Sequence, residues 1–142
     1  MRLLGLDIGD FTIGLAVSDP LGITAQGLGV YKRRKLNDDL NYVLSLAGEY
    51  QVEEVVVGWP RGLSGSEGTQ ARKVAEFAAL LEQKGLKIKL WDERFTTSAA
   101  ERLLLDAGVR REKRRKIVDK LAAVLILQSY LDSKRRQRAG GS

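Results

Sequence analysis

Residues 3–19 read LLGLDIGDFTIGLAVSD, and this stretch decides the fold. Two apolar runs flank a turn at Gly9, Asp10 and Phe11, a pattern that predicts a β-hairpin whose first strand is buried on both faces. Asp7 lies at the end of the first run. Because burying an unpaired carboxylate costs free energy, Asp7 requires either turn amides as hydrogen-bond donors or a cation held where substrate binds. The short D-x-G pattern leaves both explanations open.

Composition narrows the possible chemistry. The chain has 142 residues, a length typical of one domain, and contains neither cysteine nor histidine. These absences exclude disulfides, thiolate metal sites and the Ser-His and Cys-His catalytic triads. Any catalysis must therefore rest on carboxylates, lysines, hydroxyl groups or a bound hard cation. Since no apolar run reaches the ~20 residues that cross a bilayer, and the chain starts with a strand rather than a signal peptide, we expect a cytoplasmic location.

Basic residues are concentrated in three runs. The chain has 24 Lys and Arg against 18 Asp and Glu, a net charge of +6, and 14 of the 24 lie in KRRK (32–35), RREKRRK (110–116) and KRRQR (134–138). One explanation is solubility alone. The favoured explanation is a polyanionic partner, of which nucleic acid is the commonest. The residues expected to contact it are Lys32, Arg33, Arg34, Arg114, Arg115 and Lys116.

Apolar periodicity predicts three strands and then helices that alternate with strands. After the hairpin, the predicted elements are a strand over 27–31, a helix over 36–48, a strand over 52–58, a helix over 71–85, a strand over 86–91, a helix over 98–108 and a last helix over 113–134. The glycine- and serine-rich residues 58–68 are expected to form a loop. This order is typical of an α/β fold with a mixed five-stranded sheet, antiparallel in its first three strands and then parallel, flanked by helices. We expect one domain over residues 1–135 and a basic, disordered tail over 136–142.

Three carboxylates are candidates for one site. Asp7 lies in the first strand, Glu93 follows a later parallel strand, and Asp119 precedes an all-apolar segment, LAAVLIL (121–127), that predicts a buried helix. In open α/β sheets, sites form at the carboxyl ends of strands. Converging carboxylates repel each other unless a cation intervenes, so their convergence would imply Mg²⁺ or Mn²⁺. Such ions support phosphodiester hydrolysis without histidine.

Each acid also has a simpler explanation. Asp7 could accept hydrogen bonds from the turn, Glu93 could form a surface ion pair, and Asp119 could pair with Lys116 or Lys120. Asp92 competes with Glu93, because adjacent strand residues point to opposite faces. Spacing alone does not choose between them.

Several motifs together resemble one family over nearly the whole chain. LLGLDIG, AVSDPLG, VVVGWP, DERFTT and DKLAAVLILQ, in this order, resemble the YqgF/RuvX family. The resemblance implies an RNase H-like fold related to RuvC-type Holliday junction resolvases. It also implies that Asp7, Glu93 and Asp119 are the catalytic, metal-binding residues. Arg94, Thr96 and Thr97 match positions that would contact substrate.

The sequence departs from the family pattern at the first turn. Asp10 and Phe11 stand where a threonine and a basic residue are usual, and residues 61–63 differ from many members in the loop after Pro60. These departures leave the three carboxylates intact and concern contacts with substrate.

The expected function is a divalent-metal-dependent endonuclease, with water as nucleophile, that processes the 5′ end of pre-16S rRNA in ribosome biogenesis. A Holliday junction resolvase is the alternative within the same chemistry, and it would require a dimer. A non-catalytic nucleic-acid-binding factor is the alternative of another class. The expected partner is structured RNA, with branched DNA as the alternative, and the expected oligomeric state is a monomer or weak homodimer.

Overall fold

Five strands form one mixed sheet, and three described helices pack against it. The computed structural model describes residues 1–60, 65–92, 107–108 and 110–140, with side chains described except at 65–67, 111–112, 114–120 and 138–140. The elements, in chain order, are β1 (Arg2–Ile8), β2 (Thr12–Ser18), β3 (Ala25–Lys32), α1 (Leu36–Glu49), β4 (Val52–Trp59), α2 (Gly65–Gln83), β5 (Ile88–Asp92) and α3 (Arg111–Gly140). The strands lie in the order β3-β2-β1-β4-β5.

Strand directions bring four carboxyl ends to one edge of the sheet. β1 is antiparallel to β2 and parallel to β4, and β4 is parallel to β5. β3 is antiparallel to β2, so it runs in the same direction as β1. The carboxyl ends of β1, β3, β4 and β5 therefore lie along one edge, here called the carboxyl edge. The mixed five-stranded sheet predicted from the sequence is confirmed.

The residues of β1 alternate between two hydrophobic cores. Leu4 and Leu6 pack in a core with α1 and α2 that includes Phe77. Leu3 packs on the opposite face, in a core with α3 that includes Leu127. Because successive strand residues point to opposite faces, two-sided burial requires the nearly continuous apolar run that β1 has. The burial on both faces expected for this strand is confirmed.

Helix α3 lies close against β1 because Gly5 has no side chain. A β-carbon at Gly5 would lie 2.8 Å from Cβ of Leu127 and 3.1 Å from the carbonyl oxygen of Ala123. Real β-carbons essentially never approach another atom within 3.0 Å, and a separation of 3.1 Å is tighter than nine in ten real contacts of a β-carbon. The helix can therefore lie this close to the sheet only because residue 5 is a glycine.

Two helices extend beyond their predicted ends. α2 begins at Gly65, inside the stretch predicted to be a loop, and α3 continues to Gly140, so residues 136–140 are helical where the sequence predicts disorder. Arg, Lys and Gln are good helix formers, and lengthening an existing helix costs far less than starting one. Most of the helix predicted over 98–108 lies outside the described residues. None of the described helices has the length and apolar character of a membrane span.

Candidate active site and nucleic-acid interface

Asp7 lies near the carboxyl edge on the face of the sheet that α3 covers. It is partly buried and pairs across the hairpin with Gly14 of β2. A β-carbon at Gly14 would lie 3.5 Å from Cβ of Asp7 and 3.5 Å from Cβ of Ala123. Gly14 therefore leaves room for a methyl group between Cβ of Asp7 and Cβ of Ala123.

The direction of α3 brings the backbone of Asp119 toward the same edge. Leu127 lies over Gly5, whereas Ala123, one turn earlier, lies beside Gly14 and so nearer the carboxyl edge. One helical turn rises about 5.4 Å, close to the length of two strand residues. Asp119 is four residues before Ala123, so its backbone lies one further turn along. The side chain of Asp119 is outside the described set.

The third predicted acid follows β5. Asp92 ends this strand and pairs with Trp59 at the end of β4, at the carboxyl edge. Glu93 is the next residue in the sequence and lies outside the described residues, as do Arg94, Thr96 and Thr97. The choice between Asp92 and Glu93 therefore stays a prediction.

A hard cation suits the chemistry around Asp7. The carboxylate supplies the oxygen ligand that Mg²⁺ and Mn²⁺ prefer, and Gly14 places no side chain against it. Among the side chains that the structure describes, no three acidic residues converge as metal ligands. Two of the three predicted ligands are not in that set.

The basic residues of the run at the end of β3 have different environments. Lys32 and Arg34 are exposed. In contrast, Arg33 Nε donates to Asp39 Oδ2 at 2.9 Å, and Arg33 Nη1 donates to the Gly9 carbonyl at 2.9 Å. Arg33 thus links the β1–β2 turn to the first turn of α1. The more accessible cations of the run are Lys32, Arg34 and Lys35.

Asp39 is the buried partner in this linkage. Burial would raise the pKa of its carboxyl, but hydrogen bonds from the Arg34 backbone N–H, the Arg33 guanidinium and the Tyr31 hydroxyl outweigh that effect and lower the pKa. The Arg34 N–H lies 2.9 Å from Asp39 Oδ1. The carboxylate stays charged and fixes the chain between β3 and α1.

A groove of about 800 Å³ runs beside these residues. It lies at the open edge of β3 and the start of α1, and the rings of Tyr31 and Tyr42 stack there with centroids 4.1 Å apart. Its lining residues are Val30, Tyr31, Lys32, Arg33, Arg34, Asp38, Asn41 and Tyr42. The second basic run begins α3, where the side chains of Arg114, Arg115 and Lys116 are not described.

Three features of the site were not singled out from the sequence. Gly14 faces Asp7, although an isolated glycine inside an apolar strand is itself a signal of close approach. Gln70 Nε2 of α2 donates to the Ile8 carbonyl at 3.3 Å, and Lys73 lies 3.6 Å from Asp10. Helix α2 thus contacts the end of β1. Local sequence patterns do not predict this contact, because the two segments are far apart in the chain.

Comparison with solved structures finds two that share the fold of this chain. RuvC of Thermus thermophilus in complex with a Holliday junction substrate matches with a TM-score of 0.56 at 18% identity, over 89% of this chain and 91% of that chain. A second Thermus thermophilus RuvC structure matches with a TM-score of 0.50 at 17% identity, over 95% and 96% of the two chains. At these identities the likeness shows the fold.

Comparison of sequences identifies the family. The model of the RuvX family, described as Holliday junction resolvase, matches residues 1–133, and this chain belongs to that family. A protein of Desulforamulus reducens is 51% identical over 94% of this chain and 98% of its own length. A protein of Clostridium novyi is 52% identical over 94% and 99%. Both relatives carry the name "Putative pre-16S rRNA nuclease". The resemblance identified from the sequence motifs is confirmed.

Proposed function

We propose that this protein is a divalent-metal-dependent endonuclease that trims the 5′ end of pre-16S rRNA. The observation that carries the proposal is the position of Asp7: a carboxylate near the carboxyl edge, under α3, opposite Gly14 and so with no side chain against it from β2. The names of the two half-identical relatives support the choice of substrate. A pre-rRNA substrate would place the protein in the cytoplasm.

Asp7, Glu93 and Asp119 are the proposed ligands of Mg²⁺ or Mn²⁺. When bound, such ions supply an activated water and stabilise the charge that develops on the phosphodiester oxygens. Asp7 contributes a rigid ligand because its strand is fixed by hydrogen bonds on both sides. Gly14 places no side chain against Asp7, and α3 packs over the face of the sheet on which both residues lie.

Exposed cations hold the rest of the substrate. Lys32 and Arg34 at the carboxyl edge, and the run at the start of α3, would contact backbone phosphates, so that affinity falls steeply with added salt. Arg33 contributes by positioning, since its guanidinium holds the turn after Asp7. Arg94, Thr96 and Thr97 are proposed to contact the phosphate near the carboxylates.

The test is cleavage of a labelled 5′-extended 16S rRNA precursor in Mg²⁺ or Mn²⁺. The proposal expects one 5′ cut by the wild type and loss of that cut in Asp7→Asn. Glu53→Gln is the matched control, because Glu53 is an exposed acid near the start of β4, at the opposite edge of the sheet. Binding without cleavage, or equal cleavage by Asp7→Asn, overturns the proposal and favours a non-catalytic nucleic-acid-binding factor.

A Holliday junction resolvase is the second candidate, favoured by the description of the family model. Cutting two strands symmetrically requires two active sites related by a two-fold axis. A labelled four-way DNA junction in the same assay separates the candidates. Paired symmetric nicks, made by a dimer, would assign the chain to junction resolution, whereas an intact junction beside a cut precursor would assign it to rRNA.

A further inference from the structure

Phe11 is a large aromatic side chain presented to solvent close to the candidate active site. Its side chain is 83% exposed, in the turn that connects β1 to β2 at the carboxyl edge. This turn follows Asp7 by only a few residues. Exposed phenylalanines are common as isolated surface residues, so the exposure alone indicates nothing. What distinguishes Phe11 is how its backbone is held and what lies beside it.

The backbone around Phe11 is fixed on both sides. The Gly9 N–H donates to the Thr12 carbonyl at 2.8 Å and closes the turn, and the Arg33 N–H donates to the Phe11 carbonyl at 2.9 Å. The Arg33 guanidinium also donates to the Gly9 carbonyl at 2.9 Å and is itself anchored by Asp39. The ring of Phe11 is therefore carried by a rigid turn, which lowers the entropy cost of binding a partner to it.

Exposed cations lie at the end of β3, next in register to the turn that carries Phe11. Lys32 pairs in register with Thr12, the residue after Phe11, and its side chain is exposed. Arg34, two residues further on, is also exposed. Arg33 is engaged with Asp39, whereas Lys32 and Arg34 are exposed and can bind an anion from solvent.

Lys32 lies on the same face of the sheet as Asp7. Asp7 pairs with Gly14, and Gly14 pairs with Val30, so these three residues lie on one face. Lys32 is two residues beyond Val30 in β3 and so lies on that face too, nearer the edge. Two strand spacings separate β1 from β3, a distance of about 10 Å. Between them, Gly14 of β2 lies opposite Asp7, and Thr12 of β2 lies opposite Lys32.

We propose that Phe11 and Lys32 form a subsite for an unpaired nucleotide next to the scissile phosphate, with the base stacked on the ring and a phosphate held by the lysine. An exposed aromatic face beside cations is the arrangement by which proteins bind single strands, because every base has a stacking face and every nucleotide a phosphate. A base inside a duplex has no free face for the ring. The subsite therefore selects a single-stranded flank, RNA or DNA, and this inference rests on the proposed nuclease function for its place beside the cut.

The first test measures binding without divalent metal, so that affinity is read separately from cleavage. Labelled single-stranded RNA, its DNA counterpart and the corresponding duplexes are titrated against wild type, Phe11→Ala and Phe11→Tyr by fluorescence anisotropy. We expect Phe11→Ala to weaken single-strand binding by roughly 5- to 150-fold, the usual range for one stacked base, and to leave duplex binding unchanged. Phe11→Tyr retains the ring and should retain the affinity.

Leu21→Ala is the matched control, because Leu21 is 77% exposed in the loop between β2 and β3, at the opposite edge of the sheet. The cation is tested by Lys32→Ala, which should reduce the slope of log affinity against log salt by about 0.7 for a single strand. Its control is Lys84→Ala, a substitution of an exposed lysine that follows α2, and this variant should keep the slope of the wild type. Equal weakening of single strands and duplexes by Phe11→Ala, or no weakening at all, overturns the subsite.

The experiments distinguish a failure of the proposed nuclease function from a failure of the subsite. If the wild type cuts no substrate but Phe11→Ala still weakens single-strand binding selectively, the subsite stands as a binding feature and the proposed catalytic function falls. If the wild type cuts the precursor and Phe11→Ala binds and cuts single-stranded flanks as well as the wild type, the subsite is wrong and the nuclease assignment is untouched.

Discussion

Arg33 Nε lies 2.9 Å from the Oδ2 atom of Asp39, whose side chain is completely buried. This pair ties the end of β3 to the start of α1, and through the second guanidinium contact to Gly9 it also holds the turn that follows Asp7. Arg34, the next residue after Arg33, donates only its backbone N–H to the Asp39 carboxylate. Adjacent arginines in one basic run therefore have separable roles, one in the fold and one at the surface.

The first prediction separates these two roles by mutation. Arg33→Ala removes the charged partner of a buried carboxylate and should lower the free energy of unfolding by about 3–5 kcal/mol, measured by urea denaturation. Arg34→Ala keeps the backbone hydrogen bond and should change that free energy by less than about 0.5 kcal/mol, while weakening nucleic-acid binding. Equal stability of the two variants would contradict the assignment of Arg33 to the fold.

The second prediction concerns acid. The pKa of Asp39 lies below its ordinary value of 3.8, so the charged carboxylate stabilises the folded state fully above that pH. As pH falls below 3.8, the unfolded chain takes up the proton first, and the stabilisation is lost as pH falls through the pKa of the folded state. Unfolding free energies should therefore decrease more steeply with falling pH in the wild type than in Asp39→Asn. Asp38→Asn, which changes an exposed acid in the same helical turn, should follow the wild type.

The sequence predicted the sheet because its signals are local. Alternating or continuous apolar runs, the glycine turn after Asp7 and helical spacing in α1 each arise within a few residues, and they located every strand of the described sheet. The ends of α2 and α3 were harder, because helix termini depend on weak propensities that tertiary packing overrides. Helix α3 continues through KRRQR (134–138) because its buried centre is already helical, and lengthening a helix costs far less than starting one.

The candidate site was less accessible to sequence reasoning. Asp7 was singled out because a carboxylate in an apolar strand is costly, a signal contained in a single segment. The role of Gly14 depends on register with Asp7 and on the position of Ala123, and the anchoring of Arg33 depends on a contact to Gly9, 24 residues away. Such relationships arise only when segments distant in the chain meet. Glu93 and the side chain of Asp119 stay predictions.

The third prediction uses the buried hydrogen bond between Tyr130 and Glu54. The Tyr130 hydroxyl donates to Glu54 Oε1 at 2.6 Å, and burial together with this carboxylate raises the pKa of the tyrosine. Tyr130→Phe removes the donor but leaves Glu54 buried, so it should cost about 1–3 kcal/mol of unfolding free energy. Tyr42→Phe, which changes a partly exposed tyrosine on α1, should cost far less in the same urea titration. A similar cost for both would assign no stabilising role to the Glu54 contact.

The fourth prediction tests whether the close approach of α3 to β1 positions the candidate site. Gly5→Ala introduces a β-carbon 2.8 Å from that of Leu127 and 3.1 Å from the Ala123 carbonyl oxygen, so the helix must shift outward. Overpacking of this kind costs about 1–3 kcal/mol. Because the same helix carries Asp119, precursor cleavage measured at a temperature where the variant remains folded should fall as well.

Gly48→Ala is the control for that experiment. Gly48 lies inside α1, a β-carbon there would meet no atom within 4 Å, and the substitution should stabilise the protein by roughly 0.5–1 kcal/mol through helix propensity. Its cleavage rate should equal that of the wild type. If Gly5→Ala is destabilised yet cuts the precursor at the rate of Gly48→Ala, the close approach of α3 to β1 matters for the fold alone.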